Sequence, residues 1–369
     1  MNKKIKICYI VDDITGIFPK RWLSYFAQNK NYELYAITET KSKLKGVQVN
    51  PIKKSKIHIP KFSFISYVGQ ILKILDKIKP DLIHAHFLTG LNYALPFINK
   101  KYKVMLTVWG SDILIYPKKN PLLWYFTKKS LSRADLVTGN SKNLLTACED
   151  LLEKHSRNLH LINWGVDEKI FKNKNKKILP NKILAKHFPI ITHTRGLTPI
   201  YNVNNLLLAI NKVKNVYPKL LLLMCHLGDG YLRPKLMQKI KTLDLTENVL
   251  FLDNITYAKM PQFLNCGDLA ASIPLSDAGG ESNIEAIACK LPLVLSSIPA
   301  YQGLYHHKKN AYFVDHKEPS QIANGIINIA QDEKLRNKLI HNSQVILKTY
   351  GYFTKNMKKV DYLYKSLVS

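Results

Sequence analysis

The sequence predicts an α/β protein of two Rossmann-like domains, each a parallel sheet covered on both faces by helices. Three observations carry this. Short runs rich in Ile, Val and Leu recur along the chain and alternate with amphipathic helical stretches, the rhythm of a doubly wound sheet. The rhythm breaks once, at a polar, lysine-rich segment from Lys172 to Asn181, and then restarts. The length, 369 residues, exceeds one ordinary core and suits two.

In order, Ile5 to Val11 reads as a first strand, and Pro19 lies near a helix start whose apolar face is Trp22, Leu23 and Phe26. Glu33 to Thr38 is a second strand. Pro80 breaks the chain before a strand running to Ala85-His86, and Val104 to Trp109, Leu136 to Thr138 and Leu159 to Asn163 follow. Past the lysine-rich linker, strands are expected from Pro189 to Thr192, Leu220 to Cys225, Val249 to Leu252, Leu269 to Ile273, Leu291 to Leu295 and Tyr312 to Val314. Tyr350 to Leu367 reads as a lysine-rich amphipathic helix. The expected organisation is a first domain over 1–175, a second over 185–349, and a terminal helix over 350–369 that crosses back to the first. Ligands of such sheets bind at the carboxyl ends of strands, so a cleft between the domains is expected.

Composition is that of a folded chain, 46% hydrophobic and 10% aromatic. No apolar run reaches the roughly 18–20 residues that span a bilayer. The lysines at the N-terminus precede a short apolar run that ends at Asp12-Asp13, which reads as a strand and not a signal peptide. Cys8, Cys148, Cys225, Cys266 and Cys289 are scattered without C-x-x-C spacing, as expected of reduced thiols in a cytoplasmic protein without a zinc site. The net charge of +29 comes from lysine, with arginine confined to six positions. Part reflects composition bias; the remainder favours anionic lipid, nucleic acid or phosphorylated ligands.

The stretch richest in chemistry is Ser276 to Cys289. A buried strand passes through Gly279-Gly280 into a helix, and a strand follows. That arrangement presents backbone N–H groups and a positive helix end to a phosphate. Asp277 and Glu285 bracket the turn, which suits a nucleotide diphosphate with hydroxyls to be read. Ser282-x-x-Glu285 is equally a capping box, and the motif alone leaves both readings open.

Several ordered blocks join it: His84 to Phe87; Thr107 to Asp112; Arg133 to Val137 with Asn140-Ser141; Asn163 to Asp167 with Phe171; Thr194-Arg195 with Pro199 to Asn202; and Gly228 to Gly230 with Leu232-Arg233. With these in this order, the chain resembles the family 4 retaining glycosyltransferases, which have the two-domain GT-B fold. The resemblance implies that Glu285 holds the nucleotide ribose and Asp277 a donor-sugar hydroxyl, with Glu281 as a substitute for the shorter Asp277. It implies that the backbone N–H groups of Gly280, Glu281 and Ser282 hold the diphosphate together with Arg195, and that Gly228 and Gly230 approach the base. Tyr201 and Asn202 stand where the family usually has a lysine. Trp109 stands where many members have a histidine, leaving Asp112, His86 and His84 to orient or deprotonate the acceptor. Gly16 is what remains of a two-glycine first loop.

The implied reaction moves a sugar from a nucleotide-diphosphate donor with retention. The departing phosphate takes the acceptor proton, domain closure excludes water, and no cofactor or metal is expected. Phe62 to Pro80 and Tyr116 to Arg133 mix aromatics with lysines, as interfacial helices do. With the positive charge, they suggest peripheral contact with an anionic membrane face and a glycan or lipid-linked acceptor, as in surface polysaccharide assembly. Rival readings are a nucleotide-sugar epimerase of the same fold and a non-catalytic basic binding protein. No RNA-binding motif is present, so nucleic acid is not expected as a partner.

Overall fold

The structure, a computed structural model, describes residues 4–53, 60–171, 176–225, 232–253 and 255–369. The chain divides into two compact units, one of residues up to Ile162 together with Lys355–Ser369, the other of Asn163–Thr354.

Unit 1 runs β1 (Ile5–Ile10), α1 (Ile17–Phe26), β2 (Tyr32–Thr38), β3 (Val47–Pro51), α2 (Pro60–Ile78), β4 (Leu82–His86), β5 (Lys103–Thr107), α3 (Ser111–Leu114), α4 (Pro121–Arg133), β6 (Leu136–Gly139), α5 (Lys142–Leu152) and β7 (Leu159–Leu161). Its strands form one parallel sheet in the order β3-β2-β1-β4-β5-β6-β7. Unit 2 runs α6 (Asn181–Leu184), β8 (Ile190–His193), α7 (Val203–Lys214), β9 (Leu221–Met224), α8 (Arg233–Thr242), β10 (Val249–Phe251), α9 (Met260–Leu264), β11 (Leu269–Ser272), α10 (Glu281–Ala288), β12 (Leu293–Ser296), β13 (Tyr312–Val314), α11 (Pro319–Gln331) and α12 (Glu333–Ile346). Its sheet is also parallel, in the order β10-β9-β8-β11-β12-β13. The two-domain parallel α/β expectation holds.

Central strands carry apolar residues on both faces because helices cover both sides. In unit 2, Leu206, Ile210 and Ile326 pack on one face of the sheet, and Phe263, Ile284 and Ile287 on the other. The edge strand β3, absent from the sequence reading, is half-exposed, alternates Val47 and Val49 with Gln48 and Asn50, and ends at Pro51. It lacks the apolar run that marks its neighbours.

The sequence reading ended the first domain at 175, whereas the division falls after Ile162. Val166 and Phe171 belong to the unit 2 core, and Val166 exchanges backbone hydrogen bonds with Gly351 and Phe353. The last helix, α13 (Phe353–Val368), passes at Lys355 from unit 2 into unit 1. There the Tyr364 hydroxyl meets Tyr9 Oη at 3.0 Å, Trp22 Nε1 at 3.1 Å and His84 Nδ1 at 2.6 Å, all buried. Among the described residues, no helix is long and apolar enough to cross a membrane.

Candidate functional site

In unit 2 the strand order reverses between β8 and β11, so the loops leaving their carboxyl ends diverge. Such a switch point is where open α/β sheets bind ligands. Arg195 follows β8, and Asp277 to Ser282 follow β11. Leu275 N–H donates to Ile200 O at 2.8 Å and ties the two loops together.

Arg195 forks across them. Its Nη2 donates to Asp277 Oδ2 at 2.6 Å and its Nη1 to Ser282 Oγ at 2.7 Å. The Tyr201 ring lies 4.6 Å from the guanidinium carbon, so the residue standing where a lysine was expected supports the arginine by stacking. The guanidinium is 8% exposed. Burial, the largest single influence, works against its charge, but Asp277, Tyr301 and Tyr201 together outweigh it and raise its pKa. Asn202, with φ +54°, donates through Nδ2 to His316 O at 2.7 Å.

Gly280 is the N-cap of α10 at φ +65°. A Cβ there would stand 2.5 Å from Asn283 Nδ2 and 3.0 Å from the Tyr301 ring, so this turn requires glycine. Ser282 is the second residue of the helix and not its cap, and no side chain caps the helix start. The capping-box pattern is therefore not realised, and the Ser282 hydroxyl serves Arg195.

The Glu281 carboxylate accepts from the backbone of a distant block. Oε1 accepts from Trp164 N at 3.2 Å and Oε2 from Gly165 N at 3.0 Å, which anchors the Asn163 to Asp167 block. Glu285 lies towards β9: burial, and after it the Glu285 carboxylate, push the Cys225 thiol up to about 12. Gly228 and Gly230 lie outside the described residues.

Tyr301 went unnoticed in the sequence. It is fully buried, and its hydroxyl donates to Asp277 Oδ2 at 2.7 Å, so Asp277 is held by Tyr301 and Arg195 together. Burial, then the Asp277 charge, raise the Tyr301 pKa well above the usual tyrosine value, which keeps it a donor. The available signal was an aromatic placed just after β12, at the carboxyl end of the sheet.

In unit 1, Asp112 is fully buried and spends its oxygens on backbone: Leu88 N at 2.9 Å, Trp109 N at 3.0 Å and Gly110 N at 2.7 Å. Burial pushes it up to about 6 against the pull of those bonds. His86 is 1% exposed, its ring edge-on to Trp22 at 4.9 Å, and burial pushes it down to about 3. Neither side chain reaches the surface. Gly16 caps α1 without a side-chain bond and has an ordinary negative φ of −54°.

Parallel sheets of these two orders, one carrying an arginine and a glycine-opened helix at its switch point, define a GT-B type glycosyltransferase architecture. Two family models match, one on each unit: Glycosyl transferase 4-like over residues 6–141 and Glycosyl transferases group 1 over residues 174–345. The chain belongs to this group 1, family 4-like glycosyltransferase family. It is 22% identical over 290 residues to N-acetyl-alpha-D-glucosaminyl L-malate synthase of Bacillus anthracis, covering 74% of this chain and 72% of that one. Among solved structures, Anabaena HepE in complex with UDP-glucose superposes with a TM-score of 0.79 at 18% identity, covering 98% of this chain and 100% of HepE. Sucrose-phosphate synthase from Thermosynechococcus elongatus superposes with a TM-score of 0.82 at 15% identity, covering 99% of each chain.

Proposed function

We propose that unit 2 binds a nucleotide-diphosphate sugar and that the protein transfers its sugar, a hexose, to an acceptor with retention of configuration. The observation that carries this is the meeting of Arg195 with the N-terminus of α10 through Ser282, at the switch point of the sheet. A forked guanidinium and a helix N-terminus both favour the charge that builds on a departing diphosphate. They meet it with protein groups, so no resident metal is needed. The departing phosphate takes the acceptor proton, consistent with Asp112 and His86 being buried. Asp277, held by Arg195 and Tyr301, binds a sugar hydroxyl, and Glu285 the ribose. The UDP-glucose complex of HepE makes a uridine nucleotide the first to test.

The acceptor we infer is a glycan or lipid-linked glycan met at an anionic membrane face on the cytoplasmic side, as in surface polysaccharide assembly. On α4, Leu122, Trp124 and Tyr125 are exposed, with Lys128 4.8 Å from the Trp124 ring and Lys129 5.5 Å from that of Tyr125. Phe126 of the same helix packs on Phe64 and Phe97, next to exposed Ile65. From Phe87 to Arg133 the sequence holds seven lysines and one acid, the buried Asp112. Apolar side chains bracketed by lysine suit the interface of an anionic bilayer.

The test is thermal unfolding with UDP, GDP, ADP or CMP, repeated with Arg195→Ala and Glu285→Ala. Stabilisation by one nucleotide, lost in both variants, is expected. Folded protein that no nucleotide stabilises overturns the donor site.

A further inference from the structure

The sheet of unit 1 has its own switch point, between β1 and β4. Four aromatic residues gather at that end. Phe18 stands in the first turn of α1, Phe87 directly after β4, Trp109 after β5, and Tyr116 just beyond α3. The Trp109 ring lies 5.0 Å from that of Phe87 and 5.9 Å, edge-on, from that of Phe18; Phe87 and Tyr116 are 6.3 Å apart. All four are half-buried, whereas β4 beneath them is buried throughout.

Phe87 has φ +63°, a region that bulky residues rarely enter. The neighbouring structure over-determines it. Its N–H donates to Thr107 O, and buried Asn92 donates through Nδ2 to the carbonyls of both His86 and Phe87. Asp112 joins the two loops, accepting from Leu88 on one and from Trp109 and Gly110 on the other. Two buried polar side chains thus lock the loops that carry Phe87 and Trp109. Strain kept in place beside a binding surface is a mark of function. Exposed Asp13 and Thr15 lie on the loop after β1, which leads to Phe18.

We propose that Trp109 and Phe87 form a stacking platform for a pyranose ring of the acceptor, with the polar loop after β1 serving its hydroxyls. A pyranose presents an apolar face of C–H bonds and a polar edge. An aromatic ring, with its electron-rich face and large apolar area, fits the first, and a carboxylate or hydroxyl rim the second. Asp112 and Asn92 act as positioning residues through the loops they hold. This rests on the transferase reading above and names its acceptor as a saccharide that offers an unsubstituted ring face.

The experiment is saturation-transfer NMR on the full chain with UDP present, using the methyl pyranosides of glucose, galactose, mannose and N-acetylglucosamine as probes. Transfer to the ring protons of at least one pyranoside is expected, reduced fivefold or more in Trp109→Ala. Phe87→Asn, which adopts the left-handed region more readily, should lose the contact to a similar degree without a lower unfolding temperature, whereas a merely structural ring would lower that temperature and leave binding unchanged. Absence of transfer from every probe while UDP still stabilises the protein, or contact that persists in both variants, overturns the platform and leaves the donor reading standing. Pyranoside contact in protein that no nucleotide stabilises does the reverse.

Discussion

Arg195 Nη2 and Asp277 Oδ2 stand 2.6 Å apart, and the second prong of the guanidinium is taken by Ser282. Without donor, the cation is neutralised by a carboxylate of the same loop system. Removing one partner from so enclosed a pair costs about 3–5 kcal/mol, because the other is left uncompensated. Asp277→Ala is therefore expected to lower stability by that order, and Arg195→Met combined with Asp277→Leu by much less. Urea unfolding of the single and double variants checks this. A double variant as unstable as the sum of the singles contradicts the pairing.

Glu281 and Arg195 should separate in their effects. The Glu281 carboxylate accepts from two part-buried backbone N–H groups, of which Gly165 also donates to Asn163 Oδ1, and losing it removes those two hydrogen bonds at about 1–3 kcal/mol in all. Glu281→Ala is expected to reduce stability while retaining nucleotide-induced stabilisation, since its own backbone N–H remains at the helix start. Thermal unfolding with and without UDP reports both quantities. Loss of the UDP effect alone would give the side chain a direct part in donor binding.

Acid stability should depend on His86. Its folded pKa, near 3, lies below the ordinary 6.5 because burial disfavours the imidazolium. As pH falls, the unfolded chain takes the proton first. The contribution of neutral His86 is complete above about 6.5 and is lost as pH falls towards 3, at about 1.4 kcal/mol per unit. Asp112, pushed up to about 6, has the opposite sign: its native form holds the proton more tightly, so its contribution declines as pH rises from about 4 to 6. His86→Leu should flatten the loss of stability between pH 6 and 4. Chemical denaturation of variant and wild type across that range tests it, and parallel curves would contradict the assignment.

Membrane contact should be sensitive to charge and to one ring. Flotation with vesicles containing anionic phosphatidylglycerol is expected to carry the wild type and not Trp124→Ala combined with Lys129→Glu. Neutral phosphatidylcholine vesicles should carry neither, and raised salt should release the wild type, as screening weakens the lysine term. Equal flotation of variant and wild type would remove α4 from the contact.

The central strands were legible because burial on both faces writes a continuous apolar run. Edge strand β3 was not, since half its side chains face water. Arg195, Asp277, Gly280 and Ser282 were legible as local chemistry around strand ends, and the structure brings them together. Ser282 and Glu285 admitted two readings until the left-handed Gly280 fixed where the helix starts. Tyr301 stayed hidden because its meaning lies in a contact with Asp277 across 24 residues. The part played by Glu281 was hidden likewise, since its carboxylate answers to Trp164 and Gly165, far away in sequence.

The path of α13 orders events at the ribosome. Residues 163–354 form one contiguous unit, but Tyr364, which satisfies Tyr9, Trp22 and His84, is made after all of them. At about 5–20 residues per second, the first sheet waits roughly ten to forty seconds for its last helix. During that interval the polar edge of its core is open while the later-made unit is itself being made, and that unit gains its last residue, Thr354, shortly before Tyr364 appears. The protein therefore completes its second half before its first.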